Sequence, residues 1–252
     1  MRGWPLLLGL AFAPAGARAA DPSALWKIVN GECVPHEQET RDPSPCAEVD
    51  LAQGVEKGTV VLKDRDGIAQ FLLMPTARIG GIDDPAILAP GATNYWEAAW
   101  QARHFVEQRL HAPLPRDAVS LAINSSVGRT QDELHIHIDC VRTDVRDALN
   151  ANLDKIGDQW ALFPATLAGH RYRAIRITGE TLDGVDPFHV LADNDPEARG
   201  DMGMHTLVLV GETFPDGSPG FVLLDDHANL PAGDRASGEQ LQDHGCAVAG
   251  KS

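Results

Sequence analysis

Polar and apolar residues alternate without interruption along residues 133–139, which read Glu-Leu-His-Ile-His-Ile-Asp. In a β-strand successive side chains point to opposite faces, so this alternation places two imidazoles and two carboxylates in one row, opposite a row of aliphatic residues. An imidazole pKa lies close to neutrality, so such a row can supply a nucleophile, a general acid or base, a phosphate-binding group or a metal ligand. His135 and His137, with Glu133 beside them, are therefore the candidate catalytic residues.

The segments before this row predict an antiparallel sheet with a packed helix. Residues 59–75 contain two β-rich runs around an Asp-Arg-Asp-Gly turn, which is typical of a hairpin. A helix is expected over residues 94–110, because it begins with a capping asparagine that is followed three residues later by glutamate. Residues 118–123 predict another strand, and the loop 124–131 is short enough to make that strand the antiparallel neighbour of the histidine strand.

The C-terminal half is expected to form an α+β extension. Asp186 and Pro187 predict the start of a short helix, and residues 206–210 and 221–224 predict a hairpin. Ser237 is expected to cap a last helix that ends at Gln242. We divide the chain into a catalytic core with an N-terminal cysteine loop at 21–165 and an extension, packed on the core, at 166–252. Seven of the remaining histidines are interpreted as surface or core residues: His104, His111, His170, His189, His205, His227 and His244.

Length and charge restrict the class of protein. A chain of 252 residues can bury a sizeable core, and its composition, 43% hydrophobic and 23% charged, is that of a globular protein. The net charge of −15 argues against nucleic acid as a partner and against general attraction to an anionic membrane, because both require a basic surface.

The N-terminus resembles an export signal. Arg2 precedes an apolar run from Gly3 to Pro14, and residues 17–19 have the small-x-small form of a cleavage site. We expect residues 1–20 to be a signal peptide or an uncleaved N-terminal membrane anchor. The protein is accordingly expected at the periplasmic face of the cell inner membrane, or free in the periplasm after cleavage.

Four cysteines in an exported chain indicate disulfides, and four cysteines allow three pairings. Cys33 and Cys46 flank a polar segment with prolines, which a local bridge would close. Cys140 directly follows the histidine strand, and Cys246 lies near the C-terminus. We predict the pairs Cys33 with Cys46 and Cys140 with Cys246; a zinc site is disfavoured because no Cys-x-x-Cys spacing occurs.

The order of these elements is similar to that of the histidine triad superfamily of nucleotide hydrolases and transferases. A hairpin ending in residues 71–75, a helix, a strand, Asn124, Gly128 and the His-x-His row follow in that sequence. Several blocks resemble, more closely, the bacterial CDP-diacylglycerol pyrophosphatase family: residues 26–29, 43–49, 72–76, 118–125 and 128–131, with Asp243-His244 before Cys246. The resemblance runs from about residue 24 to residue 246.

This resemblance implies a fold, a reaction and two residue roles. The fold would be an α+β, histidine-triad-like antiparallel sheet with packed helices, and the reaction hydrolysis of CDP-diacylglycerol to CMP and phosphatidate without a cofactor. His135 would attack phosphorus and form a covalent nucleotidyl intermediate, while His137 would bind phosphate. The first histidine of the superfamily motif is replaced here by Glu133, a carboxylate that could orient an imidazole.

Phosphate-binding residues are also implied by the resemblance. Arg78 stands where many superfamily members carry a further histidine, and its guanidinium can hold phosphate. The loop before the histidine row adds further candidates, Asn124, Gly128, Arg129, Thr130 and Gln131. For Arg129 a solvated loop position, and for Asn124 a purely conformational role in a turn, are the alternatives.

Two other classes of function remain open from the residues alone. Glu133, His135, His137 and Asp139 have the alternation that can start a metal site, as in a metal-dependent hydrolase or oxygenase. An exported binding module without catalysis is the third option. For the preferred reading the partner is the lipid substrate at the membrane surface, and a homodimer is left open.

Overall fold

The structure, a computed structural model, describes residues 21–250 and contains one nine-stranded sheet. All neighbouring strands are antiparallel, in the order β1-β2-β3-β5-β4-β8-β9-β7-β6. The strands are β1 Glu48–Asp50, β2 Thr59–Lys63, β3 Phe71–Pro75, β4 Val119–Ile123, β5 Ile136–Cys140, β6 Ala161–Leu162, β7 Arg173–Thr178, β8 His205–Thr213 and β9 Pro219–His227. The expected α+β class and both expected hairpins are confirmed.

Seven α-helices accompany the sheet in the described part of the chain. They are α1 Ala24–Ile28, α2 Val34–Thr40, α3 Tyr95–Ala102, α4 His104–Leu110, α5 Thr143–Asn150, α6 Pro187–Asn194 and α7 Pro196–Gly200. Within residues 21–250, no helix combines the length and the apolar character needed to cross a bilayer. The segment interpreted as a signal or anchor lies outside the described residues.

Two helix predictions were wrong in extent. The helix expected over 94–110 is divided at Arg103, because the backbone amide and the guanidinium of Arg103 both donate to the Trp100 carbonyl. The last helix is a single 3₁₀ turn, Gly238–Leu241. There the chain lies directly on the sheet: a Cβ on Gly238 would stand 2.7 Å from a methyl carbon of Val208.

One face of the sheet carries the main hydrophobic core. Trp96 and Trp100 of α3 are buried in it, as expected from their spacing of one helical turn. Trp96 packs edge-on against Phe188 of α6, with ring centres 5.5 Å apart, and Trp100 packs edge-on against Phe221 of β9 at 4.9 Å. These contacts join α3 and α6 to the sheet as one layer.

The opposite face is covered in two separate places. The N-terminal helices pack on β2 and β3, with Val29 and Cys33 against Leu72. Helix α5 and the chain around residue 163–172 pack on β8 and β9. Strand register places His137 between Leu72 of β3 and Ala122 of β4. His137 therefore lies between the N-terminal helices and the segments that pack on β8 and β9.

The C-terminal residues continue the same sheet, since β8 pairs directly with β4. Both predicted disulfides, Cys33–Cys46 and Cys140–Cys246, are present. The second bridge spans 106 residues and fixes the C-terminal segment to the end of β5.

Candidate active site

The histidine strand is shorter than the alternation predicts. β5 begins at Ile136, so Glu133 and His135 precede its regular part. The Leu134 amide instead donates to the Ile79 carbonyl at 2.6 Å. The His135 ring folds back on its own chain, and its Nδ1 donates to the Glu133 carbonyl oxygen at 2.6 Å. The alternation therefore predicted a longer regular strand than the structure contains.

His135 has the geometry of a nucleophile. A carbonyl oxygen can only accept, so the bond to Glu133 fixes the proton on Nδ1 and leaves the lone pair on Nε2. That Nε2 makes no hydrogen bond with the described residues and is not sealed from solvent. Burial lowers the pKa of His135, although the Glu133 carbonyl and the Glu239 carboxylate oppose this effect. The ring is thus held neutral near pH 7.

His137 is a buried partner rather than a second open group. Its ring stands edge-on to that of His135, with centres 4.8 Å apart. The Gln70 side-chain amide donates to its Nδ1 at 2.7 Å, so the proton is on Nε2, which is buried and has no partner among the described residues. Burial, then the neighbouring His135 and His244, lower its pKa well below the ordinary value. His137 therefore carries an N–H without a hydrogen-bond partner among the described residues, in a ring that packs against His135.

A carboxylate from the C-terminal segment completes this group. Glu239 Oε1 lies 3.2 Å from Nδ1 of His137, and its Oε2 accepts from the Asn124 side chain at 2.5 Å. The Asn124 oxygen in turn accepts from the Ser237 hydroxyl at 3.1 Å. The Glu239 side chain is 29% exposed, so this edge of the group faces solvent.

The Glu133 carboxylate does not orient His135. Glu133 is fully buried, and neither carboxylate oxygen has a hydrogen-bond partner among residues 21–250. Burial raises its pKa to about 8; the charge of Arg78 opposes the shift and that of Asp84 adds to it. The backbone carbonyl of Glu133, rather than its carboxylate, orients the His135 ring.

A second carboxylate of the row, Asp139, is paired further along the strand. Asp139 is fully buried and accepts from Nδ1 of His244 at 2.7 Å and from the Cys140 amide at 2.8 Å. Burial raises the pKa of Asp139 to about 6, and both hydrogen bonds act against the shift. The Asp139 contact outweighs partial burial and raises the pKa of His244.

Only part of the predicted phosphate-binding set lies near the imidazoles. Asn124 contacts Glu239, and the Arg129 charge acts on His135. Arg129 is, however, ion-paired with Asp83 and lies 3.4 Å from Asp132. The contacts of three other members are different. The Arg78 guanidinium is exposed over the Trp26 ring at 5.6 Å, Thr130 is exposed without a side-chain hydrogen bond in the described chain, and Gln131 bonds Leu25 and Asp21.

Close packing explains why residue 128 is a glycine. A Cβ there would stand 2.8 Å from the Arg235 carbonyl oxygen, so any side chain would push the C-terminal segment away. Ser125 holds the same segment: its amide donates to Ala236 and its hydroxyl donates to Arg235. The loop thus fixes the chain that carries Glu239.

Sequence analysis did not identify Gln70, Glu239 or the role of His244. Gln70 follows the hairpin turn, and Glu239 stands in the segment expected to form the last helix, so neither lies in a chemical motif. The available signal was Asp243-His244 before Cys246, because the predicted bridge to Cys140 already brought this pair beside Asp139.

The group does not have the arrangement of a metal site. Within residues 21–250, the ligand atoms of Glu133, His135 and His137 do not all lie within 4.8 Å of one another. Asp139 lies near Cys140 and Cys246, but both sulfurs are in a disulfide and offer no thiolate. The metal alternative is therefore not favoured here.

Comparison with known proteins gives one consistent result. A family model described as "CDP-diacylglycerol pyrophosphatase" matches residues 20–250. The chain is 45% identical, over 231 residues, to a protein of Yersinia pestis named "CDP-diacylglycerol pyrophosphatase". This alignment covers 92% of the chain and 86% of the relative.

Proposed function

Because this chain belongs to the CDP-diacylglycerol pyrophosphatase family, we propose that it hydrolyses CDP-diacylglycerol to CMP and phosphatidate through a nucleotidyl-histidine intermediate. The observation that carries the mechanism is the bond from His135 Nδ1 to the Glu133 carbonyl. It leaves a neutral ring with an open Nε2, which is the form that can attack phosphorus.

In the first step Nε2 of His135 forms a bond to the cytidylyl phosphorus. The bond between this phosphorus and the bridging oxygen breaks, and its electron pair leaves with phosphatidate. Attack on an anionic phosphorus is opposed by charge repulsion, so a neutral nucleophile and nearby donors lower the barrier. The unpartnered Nε2–H of His137 is available for a phosphoryl oxygen.

In the second step water attacks the same phosphorus and His135 leaves. The displaced imidazole regains its neutral form, and the water proton passes to solvent. Gln70 donates to both His137 and Glu239, and Glu239 accepts from Asn124. These hydrogen bonds hold His137 and the loop during both displacements. Arg129 adds positive charge near His135, and its pairing with Asp83 keeps the guanidinium in place.

The same proposal gives the protein a location. A lipid substrate and the signal-like sequence of residues 1–20 fit an exported enzyme that works at the periplasmic membrane surface. The disulfides agree with an oxidising compartment. Fractionation with and without residues 2–18 tests the export step: deletion should retain the protein in the cytoplasm.

The position of ¹⁸O tests which phosphorus is attacked. Single-turnover hydrolysis in H₂¹⁸O should place the label in CMP, since water opens the bond between histidine and the cytidylyl phosphorus. Label in phosphatidate would contradict attack at the nucleotide. Turnover should persist with a chelator, whereas a complete loss of turnover that one divalent metal restores in wild type and in Asp226→Asn alike would favour the metal-dependent alternative.

Stereochemistry tests the covalent intermediate separately. Each in-line displacement inverts phosphorus, so two displacements retain the configuration. A substrate made chiral at the cytidylyl phosphorus with sulfur and oxygen isotopes should give CMP thiophosphate of retained configuration. Inversion would mean that water attacks directly, and His135 would then be a base rather than a nucleophile.

A further inference from the structure

A second cluster of ionisable groups lies away from the imidazole pair. His170, Asp226 and Asp234 each offer a ligand atom, and these three atoms all lie within 4.8 Å of one another. Nδ1 of His170 donates to Asp234 Oδ2 at 2.7 Å, and the other Asp234 oxygen accepts from the Ala236 amide at 2.9 Å. Asp234 is therefore satisfied.

Asp226 is not satisfied. It is only 8% exposed, its Oδ2 is fully buried without a partner among residues 21–250, and the side chain within hydrogen-bonding reach of its carboxyl is that of Asp234, another carboxyl. Leaving a buried carboxylate unpaired is costly. Burial and the adjacent Asp234 carboxylate raise the pKa of Asp226, and His170 is the positive group that opposes this shift. A cation bound between the Asp226 and Asp234 carboxylates would offset the unfavourable burial of Asp226.

We infer that His170, Asp226 and Asp234 form a binding site for one divalent transition-metal ion. One imidazole nitrogen with two carboxylate oxygens suits Zn²⁺ or Mn²⁺ better than Mg²⁺ or Ca²⁺, which prefer all-oxygen sites. Ligands about 2.0 to 2.2 Å from zinc require only small movements in a cluster of this size. The ion would replace the proton between His170 and Asp234, which would pass to solvent. Of the three ligands, Asp226 also lines a cavity of about 460 Å³.

The position of the cluster gives the ion a structural role. Asp226 pairs with Thr206 across β9 and β8, and continuing the β4–β8 register by one residue places Asn124 beside Thr206. The chain from Asp234 to Glu239 crosses above this row. Its first residue lies in the cluster, and its last contacts Asn124 and His137. A cation would therefore fix the start of the segment whose end enters the candidate active site.

Cation binding tests the site without relying on catalysis. Chelator-treated full-length protein is titrated separately with Zn²⁺, Mn²⁺, Mg²⁺ and Ca²⁺ by calorimetry, and thermal unfolding is recorded with each ion. We expect one ion per chain, tighter binding of Zn²⁺ or Mn²⁺ than of Mg²⁺ or Ca²⁺, and a higher Tm when it is bound. Absence of saturable binding by wild-type protein would overturn the inference.

Variants locate the ion. Asp226→Asn and His170→Gln should each weaken binding at least about tenfold, because each removes one ligand. Two controls should bind like wild type: His135→Ala, which removes the proposed nucleophile, and the double variant His227→Gln with Asp201→Asn, which removes another His–Asp pair, 3.1 Å apart. If Asp226 and Asp234 merely share a proton, Asp226→Asn will bind the ion as well as wild type and the inference fails. Loss of binding in His135→Ala alone would place the ion at the imidazole pair and would equally refute it.

Discussion

Two glutamates, one buried and one partly exposed, approach the histidines from different regions, and they differ in what they contact. Glu133 lies just before β5, one residue removed from His135, yet its carboxylate has no partner within residues 21–250. Glu239 lies more than a hundred residues away in the C-terminal segment, and its carboxylate contacts Asn124, Gln70 and His137. Proximity in sequence therefore does not decide which carboxylate acts on the imidazoles.

The difference has a simple physical cause. The side chains of Glu133 and His135 lie in different surroundings, because His135 folds back on the Glu133 carbonyl while the Glu133 carboxylate interacts with Arg78 and Asp84. The Glu239 carboxylate is partly exposed, and its charge acts on His135. Glu133 thus supplies a backbone acceptor, and Glu239 supplies the charge.

The largest expected effect is at the nucleophile itself. His135→Ala should lower kcat at least about 1,000-fold, because no other group replaces Nε2. His137→Ala should lower it about 100-fold, as expected for the loss of one donor to the phosphoryl group. Release of CMP measures both. The exposed His104→Ala variant serves as control, and a His135 variant with turnover near wild type would move the nucleophile elsewhere.

The comparison itself is tested by replacing each glutamate with glutamine. A hydrogen bond to a charged group contributes about 1.5 to 3 kcal/mol, so Glu239→Gln should lower kcat about 10- to 100-fold. Glu133→Gln should leave kcat within about twofold, since its carbonyl is retained. Equal losses in the two variants would show that the Glu133 side chain also participates.

The pH profile separates an electrostatic role of Glu239 from a structural one. The Glu239 carboxylate raises the pKa of His135, so its removal should move the acid limb of kcat/KM to lower pH. Glu133→Gln should leave this limb unchanged, because the Glu133 carboxylate is not among the charges acting on His135. If the acid limb of kcat/KM does not move in Glu239→Gln, Glu239 acts only through packing.

Much of the fold was predictable because its signals are local. The hairpin of β2 and β3 follows from a β-rich run on each side of a turn, and the cap on α3 follows from Asn94, whose side chain accepts from the Glu97 amide at 3.1 Å. The division at Arg103 was not predictable, since it depends on where one guanidinium folds back.

The candidate site divides in the same way. His135 and His137 became candidates because polar and apolar residues alternate along their strand. Glu239 lies in a 3₁₀ turn on the sheet, and its segment has no such pattern. Arg78 and Gln131 are expected at the phosphate, and the sequence did not indicate the contacts that they make in the folded chain, with Trp26 and with Asp21. Long-range packing decides these positions, and a single sequence does not reveal it.

Removal of the Cys140–Cys246 disulfide, which joins the end of β5 to the C-terminal segment, should have an effect of intermediate size. Closing a loop of 106 residues is worth roughly 3 to 5 kcal/mol of unfolding free energy on the loop-entropy view. Replacing Cys140 and Cys246 together by serine should therefore lower stability and also reduce kcat several-fold, because Glu239 and His244 lose their anchor. Chemical denaturation and CMP release measure the two losses. Replacing Cys33 and Cys46 should lower stability alone, and an equal loss of kcat there would argue against a specific link.

The smallest expected effect is a pH-dependent gain of stability in Glu133→Gln. Folding raises the pKa of Glu133 from 4.5 to about 8, so the folded protein binds more protons than the unfolded chain between these values. The contribution of this group to stability is complete below about pH 4.5 and declines as the pH rises to about 8. Glutamine does not titrate, so the difference in unfolding free energy, variant minus wild type, should grow across this window and then level off. Urea unfolding at several pH values measures it. A constant difference would mean that the Glu133 carboxylate is paired in solution, and Glu133 would then resemble Glu239 after all.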